Sequence, residues 1–257
     1  MIVHLLYFLG LAWSLPWLPI VWIQARRVKK TVPRLPEARR NLTGRVGTGE
    51  QLINLVALGE STIAGVGVED HADGVVGHTA KTIEQLTQKR VEWKVIAKSG
   101  YTAQKVSERL VEQLPEGDIS IIVIGLGAND TFAFNPPATW QKHVRQLIAA
   151  IRTKHNECPI VFANMPPVGQ FPAFPRIMQV VLGGLITLHG LALQSLVKQQ
   201  ANVYYVDRRI KFKDWADRAG GNVSVHDLFC DGVHPSPVAY ALWGREIGEY
   251  VVERGLL

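Results

Sequence analysis

Ser61 follows an apolar run that ends in a glycine, a pattern that can deliver a hydroxyl group to a reaction. The run occupies residues 52–59, and its continuous apolar character predicts a buried parallel strand followed by a tight turn. Ligands of open α/β sheets bind at the carboxyl ends of the strands, which is where this serine would lie. If a helical turn begins at Ser61, its free backbone N–H groups can stabilise a developing oxyanion. The alternative is a serine that only caps a helix.

Asp231 and His234, close to the carboxyl terminus, are the candidate partners of this serine. A serine becomes nucleophilic when a base takes its proton and an acid orients that base. The spacing of three residues lets the carboxylate accept a hydrogen bond from Nδ1–H and leaves Nε2 free to face Ser61. Ser236 and Pro237 then predict the cap and first residue of a helix, which would fix the loop that carries His234. The alternative is an ordinary surface turn.

Gly100 and Asn129 end the second and third predicted strands, where donors to an oxyanion would be useful. A glycine lets its backbone N–H approach a bound carbonyl closely, and an asparagine amide can donate to the same oxygen. Each also has a simpler interpretation, as a turn glycine and a helix cap. Together with Ser61 and His234 they form a set suited to acyl transfer.

Five apolar segments alternate with helical patterns, and this alternation positions the candidate residues. The predicted strands are residues 52–59, 93–97, 119–124, 160–163 and 203–206. Such an order predicts an α/β fold, a three-layer α/β/α sandwich around a five-stranded parallel sheet. The apolar interval 177–197 is assigned to a crossover helix because polar residues interrupt it. Phe171 and Phe174 lie in a preceding loop that either closes the core or forms a lipid-facing lip to an acyl pocket.

The chain contains four short blocks in the order Gly59-Glu60-Ser61, Gly100, Gly127-Ala128-Asn129-Asp130 and Asp231-Gly232-Val233-His234. Together they resemble the four blocks of the SGNH (GDSL-like) hydrolases. The resemblance, which runs from about residue 52 to 257, implies a flavodoxin-like fold with Ser61 as nucleophile, His234 as general base and then acid, and Asp231 as its orienting acid. It also implies an oxyanion hole made of the N–H groups of Ser61 and Gly100 and the amide of Asn129. Glu60 departs from the family, which usually has Asp there, and this bears on the hydrogen bonding behind the nucleophile.

The first 24 residues predict a membrane anchor. Residues 2–23 contain no Asp, Glu, Lys or Arg, and at 1.5 Å per residue they would span roughly 33 Å. Pro16 and Pro19 indicate a kink or a segment that dips into the bilayer. A cleaved signal peptide is the alternative, although no basic residue precedes the apolar run.

Residues 25–50 are predicted to be a basic linker, and residues 51–257 the hydrolase domain. Eight Lys or Arg against one Glu between residues 24 and 45 account for the whole net charge of +6. The charge therefore favours anionic lipid headgroups beside the anchor and gives no reason to expect nucleic acid as a partner. The positive-inside rule places the domain on the cytoplasmic side of the inner membrane; a periplasmic or exported domain is the alternative.

These features predict a membrane-anchored serine esterase that uses an acyl-enzyme and no metal or cofactor. Its substrates would be small-molecule or lipid esters, with lysophospholipids, other acyl lipids and acyl thioesters as candidates. One alternative is an acyltransferase or a carbohydrate O-deacetylase with the same residues. Another is a membrane-tethered binding module without catalysis.

Overall fold

The chain folds around one six-stranded sheet, in a computed structural model that describes residues 2–220 and 223–257. The sheet order is β1-β3-β2-β4-β5-β6. The strands are β1 (Thr43–Val46), β2 (Leu52–Gly59), β3 (Arg90–Ala97), β4 (Ile121–Gly125), β5 (Ile160–Phe162) and β6 (Val203–Tyr205).

The five strands from β2 to β6 are parallel, and their order is the flavodoxin-like one. The predicted three-layer fold is therefore confirmed. The predicted count of five strands is wrong, because β1 pairs antiparallel with β3 at the sheet edge. A Cβ atom at Gly44 would lie 2.1 Å from the Trp93 ring across this pair, so the indole covers the backbone of β1. The strand thus depends on its partner rather than on an apolar pattern of its own.

Helices cover both faces of the sheet. They are α1 (Ile2–Ser14), α2 (Leu18–Thr31), α3 (Val75–Thr87), α4 (Ala103–Arg109), α5 (Ala128–Phe132), α6 (Pro137–Lys154), α7 (Arg176–Val197), α8 (Phe212–Arg218) and α9 (Pro237–Glu253). Leu55 and Ala57 of β2 belong to the core under α3 and α9, whereas Val56 and Leu58 belong to the core under α4 and α6. Both faces of the central strand are buried, which explains its unbroken apolar run.

The N-terminal helices α1 and α2 are separated only by a 3₁₀ turn, Leu15–Trp17, with Pro16 in it. Proline is tolerated there because the first turn of a helix needs no N–H donors. Both helices pack against α7, and Val21 is 1% exposed. Other side chains of the pair, among them Phe8 and Ile23, are exposed. The pair therefore presents one face to the domain and one apolar face to its surroundings.

Among the described residues, two helical stretches are long and apolar enough to cross a membrane, Ile2–Thr31 and Arg176–Val197. Within the most apolar part of each, 6% of the residues are buried in the first and 44% in the second. The second is thus a helix of the domain, as predicted, whereas most of the apolar surface of the first is exposed.

The segment that follows α2 is attached to the domain rather than free. Ala38 N–H donates to the Ala64 carbonyl at 3.0 Å, and His71 N–H donates to the Arg40 carbonyl at 3.1 Å. The predicted anchor boundary at residue 24 falls inside α2, and β1 lies in the predicted linker 25–50. These residues run beside the loop that follows β2, so they lie next to the candidate site.

Candidate active site

Ser61 lies where β2 ends, at the carboxyl edge of the sheet. A Cβ atom at Gly59 would lie 2.3 Å from the Gly125 carbonyl oxygen of β4, so the close approach of these strands requires a glycine. After Ser61 the chain forms hydrogen-bonded turns through residue 67 rather than a continuous helix. Ala64 N–H returns to the Glu60 carbonyl at 2.9 Å and closes the first of them. This bond joins residues four apart and closes the single helical turn expected at Ser61, and no helix continues from it.

His234 is held by Asp231 in the predicted geometry. Its Nδ1 lies 2.7 Å from Oδ2 of Asp231, while Oδ1 accepts the N–H groups of Val233 at 2.9 Å and His234 at 2.7 Å. Burial raises the pKa of Asp231, but the hydrogen bonds from His234 and Val233 outweigh it and leave that pKa below its usual range. An ionised Asp231 fixes the ring and leaves Nε2 as the free nitrogen.

The loop that carries His234 is clamped from both sides. Gly232 has a φ of +81°, and a Cβ atom there would lie 2.9 Å from that of Ala173, whose N–H donates to the Gly232 carbonyl at 3.1 Å. On the other side, Ser236 caps α9 by accepting from Ala239 N–H, and Pro237 opens the helix. His234 therefore sits on a short, fixed turn.

Gly100 has the backbone conformation of a site glycine. Its φ is +81°, a region that glycine populates freely, and a Cβ atom would meet nothing within 4 Å. The preceding N–H, of Ser99, donates to Oε1 of Glu37 at 2.7 Å, and Lys98 pairs with Oε2 of the same carboxylate at 3.0 Å. The segment predicted as a linker thus holds the Gly100 loop in place, a contact that the sequence pattern did not indicate.

Asn129 is the second residue of α5, beside the site, but its amide is already bonded within the protein. Nδ2 donates to Oε2 of Glu60 and, at 3.2 Å, to the Tyr101 carbonyl. Its backbone N–H donates to the same Glu60 oxygen at 3.0 Å, and Ala128 N–H donates to Oε1 at 2.9 Å. Glu60 therefore positions the start of α5 with both of its oxygens.

Glu60 is fully buried next to the candidate nucleophile. Burial raises its pKa to about 8, although the N–H donors of Asn129 and Ala128 favour its ionised form. The sequence showed only that Glu60 departs from the usual aspartate. Its role as the acceptor behind Asn129 depends on residues almost 70 positions away, which no local pattern indicates.

One cavity of about 610 Å³ brings the predicted residues together. Ser61, Gly100, Asn129 and His234 all line it, and Asp231 supports it through His234. Phe171 and Phe174 form part of its wall, stacked edge to face with a ring separation of 5.4 Å, and both are buried. The loop of residues 171–175 thus closes the core and lines the cavity as well. Across residues 2–220 and 223–257, no cluster of three or more His, Cys, Asp or Glu side chains is arranged to hold a metal ion.

The chemistry open to this cavity is nucleophilic attack on a carbonyl carbon. A hydroxyl, an imidazole held by a carboxylate, and Gly100 and Asn129 in the segments after β3 and β4 line one space. The serine and the imidazole lie on the same edge of the sheet, as the sequence predicted.

A sequence profile of the GDSL-like Lipase/Acylhydrolase family matches residues 57–242. A lipase/acylhydrolase from Enterococcus faecalis is 22% identical, with a TM-score of 0.56, over 79% of this chain and 96% of that one. A Clostridium thermocellum family 3 carbohydrate esterase is 15% identical, with a TM-score of 0.58, over 80% and 99%. A salicylyl-acyltransferase from a tetracycline biosynthetic pathway is 15% identical, with a TM-score of 0.54, over 82% and 56%. At these identities the structures establish the shared fold alone; no curated protein is significantly similar to the chain.

Proposed function

Because the chain belongs to the GDSL-like lipase/acylhydrolase family, we propose that it is a membrane-anchored serine esterase acting through an acyl-enzyme on Ser61. The observation that carries this proposal is the convergence of Ser61, Gly100, Asn129 and His234 on one cavity, with Asp231 bonded to the histidine. The substrates are carboxylic esters of lipids or small molecules, and the reaction needs no cofactor.

In the first half-reaction, Nε2 of His234 takes the proton from Ser61 Oγ, and the oxygen attacks the ester carbonyl carbon. The oxyanion of the tetrahedral intermediate accepts hydrogen bonds from the N–H groups of Ser61 and Gly100. The intermediate collapses to the acyl-enzyme, and His234 returns its proton to the departing alcohol. In the second half-reaction, His234 activates a water molecule that releases the carboxylic acid and restores Ser61. Asp231 holds the Nδ1 proton throughout.

Asn129 contributes the third donor only if one of its present hydrogen bonds is exchanged. Its bond to the Tyr101 carbonyl, at 3.2 Å, is the longer of the two, and the bond to Glu60 measures 2.5 Å. We assign the Tyr101 bond as the one replaced when an oxyanion forms. Glu60 then keeps the amide in position while the reaction proceeds.

The anchor places this site at a membrane surface. Support comes from the exposed apolar face of α1 and α2 and from Lys29 and Lys30 in the last turn of α2. Basic residues at that end favour the cytoplasmic side, with the domain held against anionic headgroups.

Labelling with a fluorophosphonate tests the esterase proposal. The reagent reacts only with a serine that a base has activated, so the full chain is expected to be labelled and Ser61→Ala and His234→Ala are not. Replacement of the exposed Ser195, on α7 and outside the cavity, by Ala serves as a matched control and leaves labelling intact. A full chain that stays unlabelled would favour the non-catalytic binding module instead.

Two relatives by fold favour a second candidate, transfer of the acyl group or removal of a carbohydrate acetyl group. The same five residues would serve, with a different acceptor or acyl group. The ratio of free acid to transferred ester, measured with added alcohols or sugars, distinguishes hydrolysis from acyl transfer. An esterase yields mainly the free acid. Predominant transfer to the added acceptor would identify an acyltransferase.

A further inference from the structure

A second cavity of about 950 Å³ lies between the N-terminal helices and α7. Leu11 and Trp22 line it on one side, and Val181 and Leu188 line it on the other. Every lining residue is uncharged, and most are apolar. The space suits a hydrocarbon chain rather than a polar ligand.

This apolar groove adjoins the catalytic cavity. Val21 and Ala25 of α2, together with Phe132 and Phe134, line both spaces. A chain lying in the groove can therefore place its end beside Ser61 without leaving the protein surface.

The groove is open on the side where the anchor is exposed. Val180 and Leu191 on α7, and Phe132 and Phe134 beside the site, are between 36% and 52% exposed although all four line the groove. Exposed apolar residues that cluster in this way, next to an apolar helix, mark a surface for lipid contact.

The groove is long enough to hold an acyl chain from one leaflet. Leu6 and Ala25 line its two ends, and at 1.5 Å per residue they are roughly 28 Å apart along the helices. The hydrocarbon core of a bilayer is about 30 Å thick and holds two chains end to end, so one chain needs about half of that.

The catalytic cavity carries positive charge where the groove carries none. Lys29 and Arg34 line it, and no Asp or Glu side chain is among its lining residues in the described parts of the chain. An anionic headgroup is therefore favoured at this end, because the two basic side chains attract it and no carboxylate of the described lining repels it.

We propose that the anchor helices form one wall of a lipid channel, which takes the acyl chain of an anionic membrane lipid in the groove and its headgroup beside Lys29 and Arg34. This inference rests on the proposed esterase function and assigns its substrate class. The anchor is then part of the substrate site as well as a tether.

Filling the groove tests the acyl part of this proposal. Gly184 lines the groove from α7, and a Cβ atom there would meet nothing within 4 Å, so Gly184→Trp blocks the space without disturbing the core. The rates on an oleoyl lysophosphatidylglycerol and on p-nitrophenyl acetate are compared for the full chain in non-ionic micelles. Exclusion of two methylenes lowers a rate roughly fifteenfold, so the ratio of the two rates is expected to fall by about that factor. Gln85→Trp, on an exposed position of α3, leaves the ratio unchanged.

Removing single charges tests the headgroup part. Lys29→Gln and Arg34→Gln are expected to lower the preference for oleoyl lysophosphatidylglycerol over uncharged mono-oleoylglycerol, whereas Lys142→Gln, at an exposed position of α6 outside both cavities, is not. An unchanged rate ratio in Gly184→Trp, or equal effects of Lys29→Gln and Lys142→Gln, would overturn the channel alone. If the unaltered chain does not hydrolyse p-nitrophenyl acetate, the esterase proposal is overturned and the channel with it.

Discussion

At the residue scale, the reactivity assigned to Ser61 depends on side chains behind it as much as on those that face the cavity. Glu60 is the buried residue directly before the nucleophile. Its carboxyl group accepts hydrogen bonds from both the backbone N–H and the side-chain amide of Asn129. Asp231 does the corresponding work for His234. The sequence identified Ser61 and His234 because the residues that mark them, Gly59 and Asp231, lie within three positions along the chain. The contact between Glu60 and Asn129 forms only when β2 and β4 come together.

Replacing Asn129 tests its assignment as an oxyanion donor. Asn129→Ala is expected to lower kcat by roughly 10²- to 10³-fold, the usual cost of one lost donor. The kcat is measured with p-nitrophenyl acetate as substrate, and Gln104→Ala, on the exposed side of α4, is the control. A loss below about threefold would remove Asn129 from the oxyanion hole.

Glu60 predicts a pH dependence of stability. Its pKa is about 8 in the folded chain against 4.5 when unfolded, so the folded state holds the extra proton between these values. The free energy of unfolding therefore falls as the pH rises from 4.5 to 8. In Glu60→Gln this contribution is absent, and urea unfolding should show a weaker fall across the same window. Identical slopes for the two proteins would contradict the raised pKa.

At the element scale, the sequence located the elements that have an apolar pattern and missed those that depend on a partner. The five parallel strands were readable because burial on both faces leaves unbroken apolar runs. Strand β1 was not, since Thr43–Val46 has little apolar character and is held by pairing with β3. The segment between α2 and β1 looked like a linker for the same reason: its contacts with the loops at Ala64 and Ser99 are made through backbone groups and Glu37.

Glu37 links this segment to the oxyanion loop, and its removal should affect catalysis. Glu37→Ala leaves Ser99 N–H without its acceptor and is expected to lower kcat by about tenfold, because a hydrogen bond to a charged group contributes roughly 1.5 kcal/mol. Glu50→Ala, exposed in the same region, is the control. Equal kcat values for Glu37→Ala and Glu50→Ala would show that the loop holds its conformation unaided.

At the scale of the whole molecule, the chain combines a flavodoxin-like hydrolase domain with an apolar helix pair packed along α7. The sequence predicted both parts but not their contact, because residues 2–23 have no charged face that would show which side of the helices packs against the domain. That contact is what joins the groove to the catalytic cavity.

The proposed orientation in the membrane predicts which positions reagents can reach. In a chain with Cys158 and Cys230 replaced by Ser, a single cysteine at exposed Gln85 should react with an impermeant maleimide only after the inner membrane is opened. A single cysteine at His4 should react from the outside. Labelling at position 85 while the membrane is intact would place the domain on the other side.

The most direct test of the central claim is to trap the acyl-enzyme. The full chain is mixed with p-nitrophenyl acetate, quenched in acid during the first turnover and digested, and the peptide that contains residue 61 is weighed. We expect an acetyl group on Ser61, formed together with a burst of p-nitrophenol, and neither in Ser61→Ala. Ester hydrolysis that persists in Ser61→Ala, or an acetyl group on a different residue during turnover, would contradict the account.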